Sequence, residues 1–141
     1  MSNEKDCPFC NVDERRNLVV EENENAYVTL SNPRKMKGHL LVIPKRHVEK
    51  IENLSDAEWK SIVDLVVKYH AKIIKKISQG CDFRQHYVPY IKQNSFKVDH
   101  VHFHLMPRDL GDAFQEKTKQ ETELFEDLGK DEANEVLEIL K

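Results

Sequence analysis

His100, His102 and His104 occupy alternate positions in His100-Val101-His102-Phe103-His104-Leu105-Met106-Pro107-Arg108. In extended backbone successive side chains point to opposite faces, so this spacing places three imidazoles on one face and sends Val101, Phe103 and Leu105 into a core. Histidine is not a favoured strand residue, and neighbouring rings repel once they protonate near pH ~6.5. An array with that cost needs a chemical use. A neutral imidazole attacks phosphorus, donates N–H groups to anionic oxygen and ligates metal, and all three uses are open to this segment. The competing account, a solvated polar face of an edge strand, leaves the clustering unexplained.

A second chemical group is Cys7-Pro8-Phe9-Cys10, the spacing of a redox pair or a metal knuckle. A redox pair should follow a strand and open a helix, and Met1 to Asp6 is too short and polar to be that strand. A zinc knuckle takes two thiolates here and needs two further nitrogen or sulfur ligands from elsewhere. The third account is two unliganded thiols near the N-terminus. Cys81 reads as a buried, unreactive thiol. His39 follows Gly38 and opens an apolar run, whereas His70 and His86 read as ordinary helix and strand histidines.

These groups need a scaffold, and 141 residues are enough for one domain, expected to span 1–141. Asn17 to Glu21 and Ala26 to Leu30 read as strands around a polar turn, and His39 to Ile43 as an apolar strand closed by Pro44. Ser55-Asp56-Ala57-Glu58 is a capping box. It opens a long helix with Ile62, Val66, Tyr69, Ile73 and Ile77, plus Val63, Val67 and Ile74, in one broad buried stripe that ends at Gly80. His86 to Ile91 reads as a strand interrupted by Pro89, and Lys97 to Met106 as the histidine strand. Thr118-Lys119-Gln120-Glu121 reads as a second capping box, and Asp131 as the cap of a last helix. The order implies an α+β domain, an antiparallel sheet covered on one side by the long helix.

A net charge of -3 and a pI near 6.2 provide no basic field for a nucleic-acid partner. No apolar run approaches the roughly 20 residues of a membrane span, and Met1 to Asp6 lacks a signal peptide's apolar stretch. A cytosolic protein bound to neither nucleic acid nor membrane is therefore expected.

The run His-Val-His-Phe-His-Leu-Met with Pro107-Arg108 resembles the motif of the histidine-triad (HIT) family. Gly38-His39-Leu40-Leu41-Val42-Ile43-Pro44-Lys45-Arg46-His47 resembles that family's other hallmark segment. With the cysteine pair, the resemblance covers 7–108 and leaves 109–141 as a helical extension. It implies a sheet of about five antiparallel strands, a homodimer, and a nucleotide substrate, either a nucleoside phosphoramidate or a dinucleoside polyphosphate. By similarity His102 attacks the α-phosphorus and forms a nucleotidyl-histidine, while His104 and His39 hydrogen-bond phosphate oxygens and leaving atom. Zinc-bearing relatives add two histidines to the cysteine pair, here His47 and His100, so a structural zinc on Cys7, Cys10, His47 and His100 is implied.

The chain also departs from the family pattern. Where many members have Gly-Gln-Ser/Thr-Val before the triad, this one has Ser95-Phe96-Lys97-Val98, so Asn94, Ser95 and Lys97 are the candidates for phosphate and leaving-group contacts. Where an acid commonly binds the ribose there is Ser31, next to Asn32. Arg34, Lys35 and Lys37 read as a solvated basic loop open to extra phosphates. Two rival functions follow from those departures: a nucleotide-binding regulatory protein with little turnover, and a zinc-stabilised interaction module using the C-terminal helices.

Overall fold

The computed structural model describes residues 4–13 and 18–141, with backbone alone at 119, 120 and 122. It divides into two compact units, Met1–Leu110 and Gly111–Lys141. In the first, Val19–Glu22 (β1), Ala26–Leu30 (β2), Leu40–Pro44 (β3), Gly80–Arg84 (β4) and Phe103–Arg108 (β5) form an antiparallel five-stranded sheet in the order β1-β2-β3-β5-β4. The start expected for β1 at Asn17 lies outside the described residues. The β1–β2 turn is built by Asn23, whose side-chain oxygen accepts the Asn25 and Ala26 N–H groups at 3.3 and 3.0 Å.

Asp56–Lys76 (α1) begins at the expected capping box: the Ser55 hydroxyl accepts the Glu58 N–H at 3.1 Å, and the Glu58 carboxylate accepts the Ser55 N–H at 2.9 Å. Arg46 grips the same carboxylate from two nitrogens at 3.0 and 2.8 Å, which holds it down at about 2. One face of α1, with Ile62, Leu65, Tyr69 and Ile73, packs on Ala26, Val28, Leu40, Val42, Phe103 and Leu105 of the sheet. Each such side chain contributes roughly 1.5–3 kcal/mol of burial. The stripe is narrower than expected, because Val63, Val67, Ile74 and Ile77 are exposed. The other sheet face carries Tyr27, Leu41 and Ile43 under Phe9. His104 lies opposite Leu41 in the register and therefore shares that face.

Two strand assignments change. The ladder of the histidine strand begins only at Phe103, because β3 ends in Pro44, which has no N–H to offer a partner beyond Val42. Val101 instead gives its N–H to the Val48 carbonyl at 2.6 Å, and extended backbone keeps the side-chain alternation: Val101, Phe103 and Leu105 are buried as expected. Residues 86–91 are not a strand. Val88 to Ile91 make a turn, and the edge strand is Gly80–Arg84, fixed to β5 by an Asp82–Arg108 ion pair at 2.6 Å.

The second unit contains Ala113–Thr118 (α2), a 3-10 segment Lys119–Leu124 and Lys130–Ile139 (α3). Thr118 ends α2 and returns its hydroxyl to the Phe114 carbonyl at 2.7 Å, so it opens no helix. The cap of α2 is Asp112, whose carboxylate accepts the Gln115 N–H at 2.7 Å. Gly129, not Asp131, precedes α3, and Asp131 stands in its first turn.

Candidate functional site

Cys7, Cys10, His47 and His100 converge, with one ligand atom from each lying within 4.8 Å of all the others. The sequence brings them together from three places: the N-terminal knuckle, the segment after β3 and the segment before β5. His100 Nε2 donates to the Pro44 carbonyl at 2.8 Å, which leaves the Nδ1 lone pair facing Cys7 Sγ at 3.3 Å and Cys10 Sγ at 3.5 Å. His47 has the same design, with Nε2 on the Glu49 carboxylate and Nδ1 on Cys10 Sγ, each at 3.3 Å. A tetrahedral ion at ~2.0–2.3 Å from nitrogen and sulfur needs ligand separations of ~3.5 Å, and the donor set satisfies that. Burial and the adjacent Cys7 push the Cys10 thiol up to about 12, so a compensating cation suits this pair.

A second imidazole system stands beside the first. His102 Nδ1 lies 2.7 Å from the His100 carbonyl, which only accepts, so Nδ1 carries the proton and Nε2 keeps a free lone pair. His39 Nδ1 accepts the Lys35 backbone N–H at 3.1 Å, so its proton sits on Nε2, which donates to His104 Nδ1 at 2.9 Å. His104 must then carry its own proton on Nε2, as an outward donor. Both nitrogens of His39 are engaged, so the phosphate contact expected of His39 passes to His104. Burial and then the nearby Lys35 and His102 charges hold His39 down at about 4; burial and then His102, His39, Lys35 and His86 hold His104 at about 2. Burial also lowers His102. The rings are therefore neutral at pH 7. Phe9 ties the two systems together: its ring meets His100 and His102 edge-on at 5.8 and 5.1 Å, and its carbonyl accepts the Tyr27 hydroxyl at 2.7 Å.

His39 and His104 border a cavity of about 540 Å³ whose walls include Phe9, Leu30, Leu41 and Val98, with Arg34 and Lys35 on one side and Asn94, Ser95 and Phe96 on another. Of the expected nucleotide contacts, Ser31, Asn32, Asn94 and Ser95 line it. Lys97 does not. Its ammonium donates to the Asp99 carboxylate and to the Ile91 carbonyl at 2.6 Å. Ser31 spends its hydroxyl on the Pro33 carbonyl at 2.9 Å, while its N–H takes the His39 carbonyl at 2.9 Å.

Two lining or neighbouring groups were missed by sequence reasoning. Asp13 brings a carboxylate into the cavity wall. His86, read above as ordinary, stands edge-on to His104 with centroids 5.6 Å apart. The signal for His86 was its place two residues beyond Arg84, which pairs with His104 in the β4–β5 register; the misplaced strand concealed it.

An α+β sheet carrying alternate histidines beside a cysteine–histidine knuckle defines a histidine-triad architecture. The HIT domain profile matches residues 12–111, and the chain belongs to that family. It is 36% identical to an uncharacterised HIT-like protein of Methanocaldococcus jannaschii over 75% of this chain and 81% of that one. It is 30% identical to an adenosine 5'-monophosphoramidase of Candida albicans over 77% and 74% of the two chains. The solved histidine triad nucleotide-binding protein of Candida albicans superposes with a TM-score of 0.69 at 25% identity, covering 95% of this chain and 94% of that one.

Proposed function

We propose that this protein hydrolyses or transfers nucleotides, acting on nucleoside phosphoramidates or dinucleoside polyphosphates through a nucleotidyl-histidine. The observation that carries the reading is the pinned His102 tautomer: Nδ1–H on the His100 carbonyl aims the Nε2 lone pair outward, beside the His104 donor. His102 Nε2 attacks the α-phosphorus, the bond to the leaving nitrogen or oxygen breaks, and its electron pair departs with that atom. His104 Nε2–H donates to a non-bridging oxygen as charge spreads over the phosphoryl group. Water then attacks phosphorus and the P–Nε2 bond breaks. The nucleoside occupies the cavity, its base between Phe9 and Leu30, with Asp13 accepting from the ribose hydroxyls in the place of the acid that Ser31 lacks. The relatives' shared family and the phosphoramidase named among them support this reading.

The metal is zinc, held by Cys7, Cys10, His47 and His100 in a structural role, since two thiolates and two imidazoles leave no open position. The protein works as a cytosolic homodimer. Support for the dimer is the free edge of β4, with Phe83 51% exposed, beside the exposed Val63, Val67, Ile74 and Ile77 of α1. Free thiols at Cys7, Cys10 and Cys81 suit a reducing compartment. The deciding experiment assays adenosine phosphoramidate and diadenosine polyphosphates with wild type and His102→Ala. Loss of about 10⁴-fold or more in kcat, with a nucleotidyl adduct trapped by denaturing mass spectrometry only in wild type, is expected. Nucleotide binding with neither turnover nor adduct in wild type would favour the regulatory reading, for which the sequestered Lys97 speaks.

A further inference from the structure

His86 belongs to no part of the mechanism above, yet it faces the reacting centre. Its ring meets His104 at 5.6 Å, and His104 in turn meets His102 at 4.9 Å and His39 at 5.1 Å, so four imidazoles surround one point. His86 enters from the connection after β4, while the nucleoside cavity, bounded by His39 and His104, does not include it. It therefore stands on a flank of the triad that a nucleoside in that cavity leaves open.

The surroundings of His86 are positive. Burial lowers its pKa, and the next contributions come from the charges of Lys35 and Arg84; the Lys35 charge also reaches His39 and His104. Arg84 and Arg108 share the single carboxylate of Asp82, at 3.5 and 2.6 Å, so two guanidinium groups meet one anion and a positive excess remains. Arg84 is itself the register partner of His104. A neutral imidazole donor amid two cations has the composition of an anion site.

We propose that His86, Lys35 and Arg84 form a leaving-group site for an anionic departing fragment, the phosphate end of a dinucleoside polyphosphate. This inference rests on the function proposed above and narrows its substrate class. When the bridging P–O bond breaks, its electron pair stays on the oxygen that departs with the distal phosphates. The His86 N–H and the two cations stabilise that charge. A simple phosphoramidate expels ammonia or an amine, which gives the cations nothing to hold.

The test compares kcat/KM for diadenosine triphosphate and adenosine phosphoramidate in wild type, His86→Ala, His86→Asn and Lys35→Ala. Lys35 binds His39 through its backbone N–H, so Lys35→Ala keeps the triad relay. The ratio of polyphosphate to phosphoramidate kcat/KM should fall about tenfold in His86→Ala and in Lys35→Ala, the value of one donor at a developing anion. His86→Asn, which retains a donor, should recover part of it. The Lys35→Ala deficit should shrink in high salt. Equal losses on both substrates, or an unchanged ratio, would overturn the site. Calorimetry with inorganic pyrophosphate separates this from failure of the wider reading. If wild type turns over neither nucleotide, pyrophosphate binding that Lys35→Ala and His86→Ala both weaken upholds the anion site, and absence of binding removes it.

Discussion

Two imidazole systems meet within five residues, and they use their ring nitrogens in opposite ways. Around His100 and His47, Nε2 is tied to an oxygen of Pro44 or Glu49 so that Nδ1 turns its lone pair toward sulfur. Around His102, Nδ1 is tied to an oxygen so that Nε2 is presented, and His104 shows the site a proton instead of a lone pair. Side-chain type cannot make that distinction. The backbone makes it, through which carbonyl lies within reach of which nitrogen. One system is closed by four ligand atoms, and the other borders a cavity.

The sharpest way to break this contrast is to remove a ligand from the closed system. Cys7 is fully buried, and the knuckle is held against β2 by the Phe9 carbonyl alone among the printed hydrogen bonds to Tyr27. Cys7→Ser should abolish stoichiometric zinc in elemental analysis and lower the unfolding free energy by several kcal/mol in urea titration, since ligand binding and folding are coupled here. Nucleotide turnover measured well below the new midpoint should survive in reduced form. A variant that keeps its stability after losing the metal would show that the knuckle packs without it.

His39 offers the next largest effect. It contacts no substrate in this arrangement and acts by fixing the His104 tautomer, so it is a positioning residue. His39→Gln should lower kcat by about 10²-fold, the scale of one misdirected donor at a developing oxyanion, with KM little changed. A rise in KM at constant kcat would instead mean that His39 meets the nucleotide itself.

Most of the fold could be read in the chain, and the reasons are local. Ser55 and Glu58 announce the start of α1 because a capping box needs only residues three apart. The alternation of Val101, Phe103 and Leu105 with the histidines survived even where the ladder was lost, because it follows from extended backbone alone. The edge strand Gly80–Arg84 was hidden, since its partner β5 lies about twenty residues on and its ion pair to Arg108 has no sequence signature. The metal cluster could be listed only by resemblance, and its closure depends on three separate segments. Lys97 shows the opposite failure: its charge and place suggested phosphate, and Asp99, two residues on, took it. His86 and Asp13 reach the site through loops whose course no periodicity encodes.

The smallest effect tests the open system through protons. His39 sits at about 4 in the fold against 6.5 in its ordinary state, so above pH 6.5 neither state binds a proton and the shift contributes nothing to pH dependence. Below 6.5 the unfolded chain takes up a proton that the native imidazole refuses, so stability falls with pH until the native ring itself titrates near 4. Between pH 6.5 and 5 this costs about 1.5 kcal/mol from His39. His104, lowered further, adds in the same direction. Since the metal ligands and the other histidines also respond to acid, the measurement is a difference: urea midpoints of wild type and His39→Gln across that window. Wild type should lose more stability than the variant as pH falls, because only wild type carries the buried ring at position 39. Parallel curves would mean that His39 is as free to protonate in the fold as outside it, and the relay that leaves His104 as the outward donor would fail with it.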